Sequence, residues 1–199
     1  FYVDKNVLIP RNETEIIIDE ILKAGDLWFK KYNKLTLIDL GSGSGCIGLS
    51  LAIERPHWNI VLIDKFLSTV DILEKNIKKF SLSNAHILIS DWLSAVISNS
   101  VDIIIANPPY VEYDSAELDE TVKMHEPHTA LFSEDHGCGD LKKIIKEAKY
   151  KLRKGGILMM ENGFDQSEKV KKYLVENDYK DINILLDYNK IQRFTKSKV

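Results

Sequence analysis

Five short apolar runs, at 35–40, 59–63, 86–89, 101–106 and 156–160, alternate with segments of helical period. Such a chain folds as parallel strands joined by crossover helices, because the connection between two parallel strands must carry the chain back along the sheet. The spacing predicts those helices over 46–54, 68–80, 141–152 and 167–176. The tail is different: runs at 182–186 and 192–195 flank a short turn containing Tyr188, Asn189 and Lys190, too short for a crossover, so these two strands are antiparallel. Ahead of the first strand, Asn12 and Glu15 read as a helix N-cap and its reciprocal partner. Ile17, Ile18, Ile21 and Leu22 give that helix a buried stripe, which Gly25 terminates.

At 199 residues, 44% hydrophobic and 29% charged, the chain has the material for one sizeable α/β domain. It begins Phe1-Tyr2-Val3-Asp4, with no basic region or cleavage-like site, and has no apolar run of membrane-spanning length, so no membrane association is expected. A start without Met reads as a fragment or a processed form. Cys46 and Cys138 form no paired-ligand spacing and read as reduced thiols of an intracellular protein. Net charge is -3 with lysines scattered along the chain, so no stable nucleic-acid complex is expected. His125, His128 and His136 with Cys138 match no zinc spacing, and no metal is expected. They lie in 111–139, the longest stretch without a period, which reads as a functional lid or binding loop.

Leu40-Gly41-Ser42-Gly43-Ser44-Gly45 places a glycine-rich turn between the first strand and a helix, where open α/β sheets bind ligands. Gly43-x-Gly45-x-x-Gly48 also matches a dinucleotide fingerprint, and Asp64 ends the next strand at a spacing suited to a ribose hydroxyl pair. Asp39, two residues before the first glycine, favours S-adenosylmethionine: it can orient the loop or receive the methionine ammonium, whereas it would repel a pyrophosphate. Asp91 and Trp92 follow the third strand, offering a carboxylate and an aromatic face where an adenine would lie; Trp92 reads equally as core or cleft wall.

The fourth strand runs directly into Asn107-Pro108-Pro109-Tyr110. The prolines have no N–H and fixed φ values, which leaves a stiff turn with the Pro108 carbonyl facing outward. With the Asn107 side-chain oxygen it offers two acceptors for both hydrogens of a planar –NH2 group. An amide nitrogen is a poor nucleophile, so such a site works by positioning the group and by favouring positive charge developing on nitrogen during in-line displacement. Neither a covalent enzyme intermediate nor a dedicated strong base is expected. Tyr110 would stack on the planar group or wall its pocket. Asn107, Pro108 and Tyr110 are the candidate catalytic residues, and with Pro109 they form the candidate substrate site.

These residues resemble the release-factor glutamine methyltransferases of the HemK/PrmC type, and the resemblance covers nearly the whole chain. Val7-Leu8-Ile9-Pro10-Arg11-Asn12-Glu13-Thr14-Glu15 looks like the family's entry motif, and Asp39 to Gly45 is similar to its cofactor loop. Asp91-Trp92, Asn107 to Tyr110 and Glu126-Pro127-x-x-Ala130-Leu131 follow in family order. The resemblance implies a class I methyltransferase fold, Rossmann-like α/β, with a seven-stranded mostly parallel sheet whose last strand is antiparallel. It implies S-adenosylmethionine contacts at Gly41, Ser42, Gly43, Ser44, Gly45, Asp64, Trp92 and Asn107. It further implies a glutamine substrate, from the Gly-Gly-Gln loop of a peptide-chain release factor, on Asn107 to Tyr110, with the 111–139 loop covering it. Residues 1–30 would form an entry segment and helix and 31–199 the core. The expected protein is a cytoplasmic monomer, or one of an organelle matrix, without the family's helical N-terminal domain.

The chain departs from the family pattern at Asn12, where proline is usual and where Asn can cap the helix instead. It departs again at Asn162, more polar than usual, and at Asn189-Lys190-Ile191-Gln192-Arg193, which lacks the family's Gly-Arg-Asp wording. Glu161 reads either as a pocket carboxylate or as a solvated strand end. The four-residue element by itself is equally compatible with methylating the exocyclic amino nitrogen of adenine or guanine in DNA or RNA. Acidic net charge and the Pro10-Arg11 to Glu15 motif weigh for glutamine. A nonenzymatic cofactor-binding module and a nicotinamide oxidoreductase are the remaining alternatives.

Overall fold

The computed structural model describes residues 1–113, 115, 122, 124 and 126–199. Seven strands form one sheet: β1 (Thr36–Leu40), β2 (Asn59–Asp64), β3 (Ala85–Ile89), β4 (Val101–Ala106), β5 (Leu152–Glu161), β6 (Lys180–Leu186) and β7 (Gln192–Lys198). Their order is β3-β2-β1-β4-β5-β7-β6. The pairs among β1 to β5 are parallel, and β7 runs antiparallel to both β5 and β6, as the short Tyr188 turn requires.

A parallel sheet is covered on both faces, so its central strands are apolar on both sides. All six residues of β4 are buried. Leu37, Ile103, Ile105, Met159 and Phe194 pack on one face with Ile17 and Ile21 of α1 (Glu15–Tyr32), Leu49 of α2 (Cys46–Glu54) and Leu73 of α3 (Leu67–Lys79). Ile38, Leu40, Ile104, Leu158 and Met160 pack on the other with Ile144 of α4 (Gly139–Lys151) and Val170 of α5 (Ser167–Glu176). At the far end of the sheet, Asp102 is buried but satisfied: it accepts from the Thr36 N–H at 2.7 Å and from Arg153 at 2.6 Å.

Register decides where a site can lie. Leu40 pairs with Ile63 on one side and with Ala106 on the other. Gly41 and Asn107 therefore leave the sheet at the same edge, level with Asp64, the last residue of β2. The chain turns outward from β1 to β2 and β3 and returns to β4 on the opposite flank, so β1 and β4 bracket the topological switch point, where a crevice opens.

Two expectations fail at the first helix. Residues Asn12–Thr14 form a 3-10 turn preceded by Arg11 with no side-chain cap, so Asn12 is not the N-cap. Nor does Gly25 end the helix, which runs on to Tyr32 and closes at Asn33, left-handed at φ 53°, with its N–H on the Phe29 carbonyl at 2.7 Å. Gly25 is there for space. A Cβ would sit 2.2 Å from the ring of the buried Trp58, so α1 crosses the indole on bare backbone. Gly25→Ala should destabilise the fold by roughly 1–3 kcal/mol in urea unfolding, overpacking outweighing the better helix propensity of alanine.

Candidate active site

The glycine loop curls back onto β2. Gly41 and Ser42 both donate N–H bonds to the Ile63 carbonyl, at 2.9 and 3.0 Å, and the Ser42 hydroxyl donates to the Asp39 carbonyl at 2.7 Å. Gly41, Gly43 and Gly45 all have positive φ, so the turn relies on glycine. A Cβ on Gly43 would meet nothing within 4 Å, because that residue faces open cavity. The Gly45 Cβ direction instead meets Leu49 and Leu73, and Gly45 does not line the cavity.

Two carboxylates hold this loop. Asp39, 1% exposed, accepts the Gly48 N–H at 2.9 Å and ties β1 to the first turn of α2. Burial pushes its carboxyl up to about 7, against the lowering effect of the Gly48 bond and with a smaller contribution from Asp64. Asp64 accepts the Gly43 N–H through one oxygen and the Phe66 N–H through the other, both at 3.1 Å.

Trp92 is both core and wall. It belongs to the buried cluster on the α4 face, yet its ring stands against Gly41 and lines the cavity. Its left-handed backbone, φ 46°, is unusual for so large a side chain. The indole N–H donates to Asp140 at 3.0 Å, and the other Asp140 oxygen accepts the Ser133 hydroxyl at 2.7 Å. Asp91 points away: it pairs with Lys143 at 2.8 Å on the surface and does not line the cavity, where Ser90 and Lys143 stand instead.

The enclosed space is a cavity of 440 Å3 lined by Gly41 to Ser44, Asp39, Asp64, Trp92 and Asn107, and roofed by Val7, Leu8, Pro10 and Arg11 of the entry segment. A second cavity of 620 Å3 adjoins it, with Pro108, Tyr110, Glu161, Phe164, Gln166 and Arg193 in its wall. Leu8, Arg11, Asn107 and Ala130 line both. Asn107 thus stands where the two spaces meet, with Pro109 on the first side and Pro108 and Tyr110 on the second. Arg11 reaches Glu126 at 2.6 Å and joins the entry segment to the segment following Tyr110.

Glu161 is a pocket carboxylate. It is 2% exposed and accepts the Tyr110 hydroxyl at 3.0 Å and the Thr14 hydroxyl at 3.2 Å. Burial raises both the Glu161 carboxyl and the Tyr110 phenol above their ordinary values. Asn162, more polar than is usual in the family at this position, is fully buried and satisfied by Thr195, Ser167 and the Gly163 carbonyl. Asp140, Ser133 and Gln166 are contributors that the sequence reading did not single out; each is a polar residue in or beside a helical segment with no local signature. Of the loop histidines, His128 and His136 are described and His125 lies outside the described residues. Much of the 111–139 segment also lies outside them; what is described includes a single helical turn at His128–Leu131 and a tight turn at 134–137 in which Asp135, His136 and Gly137 have positive φ.

A glycine loop opening on a cavity, acidic residues where a pyrophosphate would be repelled, and an aromatic wall fit S-adenosylmethionine. With this strand order they define a class I S-adenosylmethionine-dependent methyltransferase. The family model for the methyltransferase small domain matches residues 24–189. The release factor glutamine methyltransferase of Shewanella oneidensis is 35% identical over 198 residues, covering 100% of this chain and 68% of its own. That of Escherichia coli K12 is 33% identical over 194 residues, covering 98% and 68%. Among solved structures, the hMettl16 catalytic domain in complex with MAT2A 3'UTR hairpin 1 superposes with a TM-score of 0.73 at 15% identity, covering 97% of this chain and 71% of that one, a likeness of fold alone. The chain belongs to the release factor glutamine methyltransferase family.

Asp39 generates a pH test. Its folded-state carboxyl titrates near 7, far above its ordinary value of 3.8. Between these values the folded protein keeps a proton that the unfolded chain releases, so stability falls as pH rises through that window. Asn at this position can still accept from Gly48 but does not titrate. Urea unfolding at pH 4.5 and 7.5 should show the Asp39→Asn protein losing less stability than the parent, by on the order of 2–4 kcal/mol.

Proposed function

We propose that this chain transfers a methyl group from S-adenosylmethionine to the side-chain amide nitrogen of the glutamine in the Gly-Gly-Gln loop of a peptide-chain release factor. The observation that carries the reading is the position of Asn107, shared by two adjoining cavities. The first, with Gly41, Ser42, Gly43, Ser44, Asp64 and Trp92, would hold the cofactor, and the second would hold the glutamine. When bound, S-adenosylmethionine would supply an electrophilic methyl carried on a sulfonium, whose S–CH3 bond breaks as the N–CH3 bond forms, leaving S-adenosyl-L-homocysteine as the product.

The Asn107 side-chain oxygen and the Pro108 carbonyl accept the two amide hydrogens and turn the nitrogen toward the first cavity. Their dipoles favour positive charge as it develops on nitrogen, and the proton leaves after methyl transfer. Tyr110 walls the substrate side. Leu8 and Arg11, lining both spaces, help exclude water where they meet.

Residues 1–199 act as one catalytic unit, with an entry segment and helix at 1–30 ahead of a core at 31–199; the place of Val7, Leu8 and Pro10 in the cavity wall supports including the entry segment in that unit. The unit works as a monomer in the cytoplasm, where release factors act. No helix among the described residues is long and apolar enough to cross a membrane. Net charge of -3 supports a protein substrate over nucleic acid.

The test is transfer from methyl-labelled S-adenosylmethionine to a release factor, its loop Gln→Ala variant, DNA and RNA. Label should appear on the unmodified release factor alone; label on nucleic acid and not on release factor would overturn the substrate. Asn107→Ala should lower turnover by roughly 10^2–10^3-fold while cofactor affinity changes far less.

A further inference from the structure

Tyr110 is held at both ends of its residue, by the last residue of β5 and by the segment that follows it. Its hydroxyl donates to Glu161 at 3.0 Å, and its main-chain carbonyl accepts from the Gln166 side-chain amide at 2.9 Å. Neither partner is adventitious in its own setting. Glu161 is 2% exposed, and its other oxygen takes the Thr14 hydroxyl at 3.2 Å. Gln166 is 4% exposed, and its oxygen accepts the Gly163 N–H at 2.9 Å, which fixes the amide that reaches Tyr110. Gly137 closes a third side: at φ +77° it presses bare backbone on Tyr110, and a Cβ would lie 2.2 Å from the Tyr110 carbonyl oxygen.

We propose that Glu161 and Gln166 are positioning residues for methyl transfer, clamping Tyr110 so that the Asn107 side chain and the Pro108 carbonyl keep one fixed direction. The clamp rests on the reading of those two groups as the amide acceptors. Its physical basis is leverage. Pro108 and Pro109 have fixed φ angles, so the turn moves as a stiff unit whose attitude is set at its ends. β4 holds one end within the sheet, and Tyr110 is the other. Burying a carboxylate is costly, and here two hydroxyl donors from different parts of the chain, Tyr110 and Thr14, offset that cost, with Arg193 adding a favourable field. One group therefore joins the entry segment, the sheet and the substrate turn. A displacement of about 1 Å at a reacting nitrogen is enough to cost on the order of 10^2-fold in rate.

The experiment compares Glu161→Leu, Glu161→Gln, Tyr110→Phe and the Glu161→Leu/Tyr110→Phe double variant in labelled methyl transfer to a release factor. Cofactor dissociation constants and thermal unfolding are measured for each. Glu161→Leu should lower kcat by roughly 10^2-fold with cofactor affinity retained. Glu161→Gln still offers the phenol an acceptor and should recover most of that loss. The double variant should be no slower than Glu161→Leu alone, because both remove the same hydrogen bond. Losses that multiply, an unchanged kcat in Glu161→Leu, or no recovery in Glu161→Gln would each overturn the clamp. If Glu161→Leu shows no cooperative unfolding transition, Tyr110→Phe, which deletes only the hydroxyl, carries the same kcat expectation, and Gln166→Met tests the second bond. Asn107→Ala run alongside separates the two failures: inactive Asn107→Ala with unaffected Glu161→Leu overturns the clamp alone, whereas active Asn107→Ala overturns the acceptor pair and the clamp with it.

Discussion

The site depends on the parallel register of β1 with β2 and β4. Because Leu40 pairs with both Ile63 and Ala106, β1 and β4 end level and β2 runs one residue further, so Gly41, Asp64 and Asn107 stand side by side. Parallel pairing is buried on both faces, so a slip of one residue would exchange the Ile103 and Ile105 face with the Ile104 and Ala106 face and misplace every helix contact. The register that satisfies the core is thus also the one that sets the glycine loop, Asp64 and Asn107 around one crevice. Packing and chemistry share a single constraint.

Onto this edge the protein fastens its loops with buried carboxylates. Asp39 holds the start of α2, Asp64 holds Gly43 and Phe66, and Glu161 holds Tyr110 and Thr14. A buried carboxylate is expensive unless it is hydrogen-bonded, and each of these has donors: those of Asp39 and Asp64 come from the adjoining turns, those of Glu161 from segments 51 and 147 residues away. Such groups contribute less to net stability than an equal volume of hydrocarbon, but they select one arrangement of loops over others that would bury as much apolar surface. In a methyl transfer that relies on placing a weak nucleophile, this selectivity is the useful property.

Much of this was legible from residue order. Gly41, Gly43 and Gly45 directly after an apolar run announced a tight strand-to-helix turn, and all three have the left-handed backbone that makes glycine necessary. Two prolines between Asn107 and Tyr110 announced a stiff turn, and the short Tyr188 linker announced antiparallel strands. Gly25 misled because the same residue type ends helices and lets helices cross a large ring; only the location of Trp58 distinguishes these roles. Asp91 misled because a strand end constrains the backbone and leaves the side chain free to turn to Lys143.

Local sequence therefore determined the order of the elements, the glycine loop and the stiff Asn107 to Tyr110 turn, since each follows from backbone preferences within a few residues. Tertiary structure decided which carboxylate faces a cavity and which faces solvent, that Trp92 serves both core and wall, and that Tyr110 meets Glu161 and Gln166, which lie 51 and 56 residues away. These contacts come from chain closure across the sheet. No periodicity or short motif encodes the distance between two side chains that only the folded register brings together.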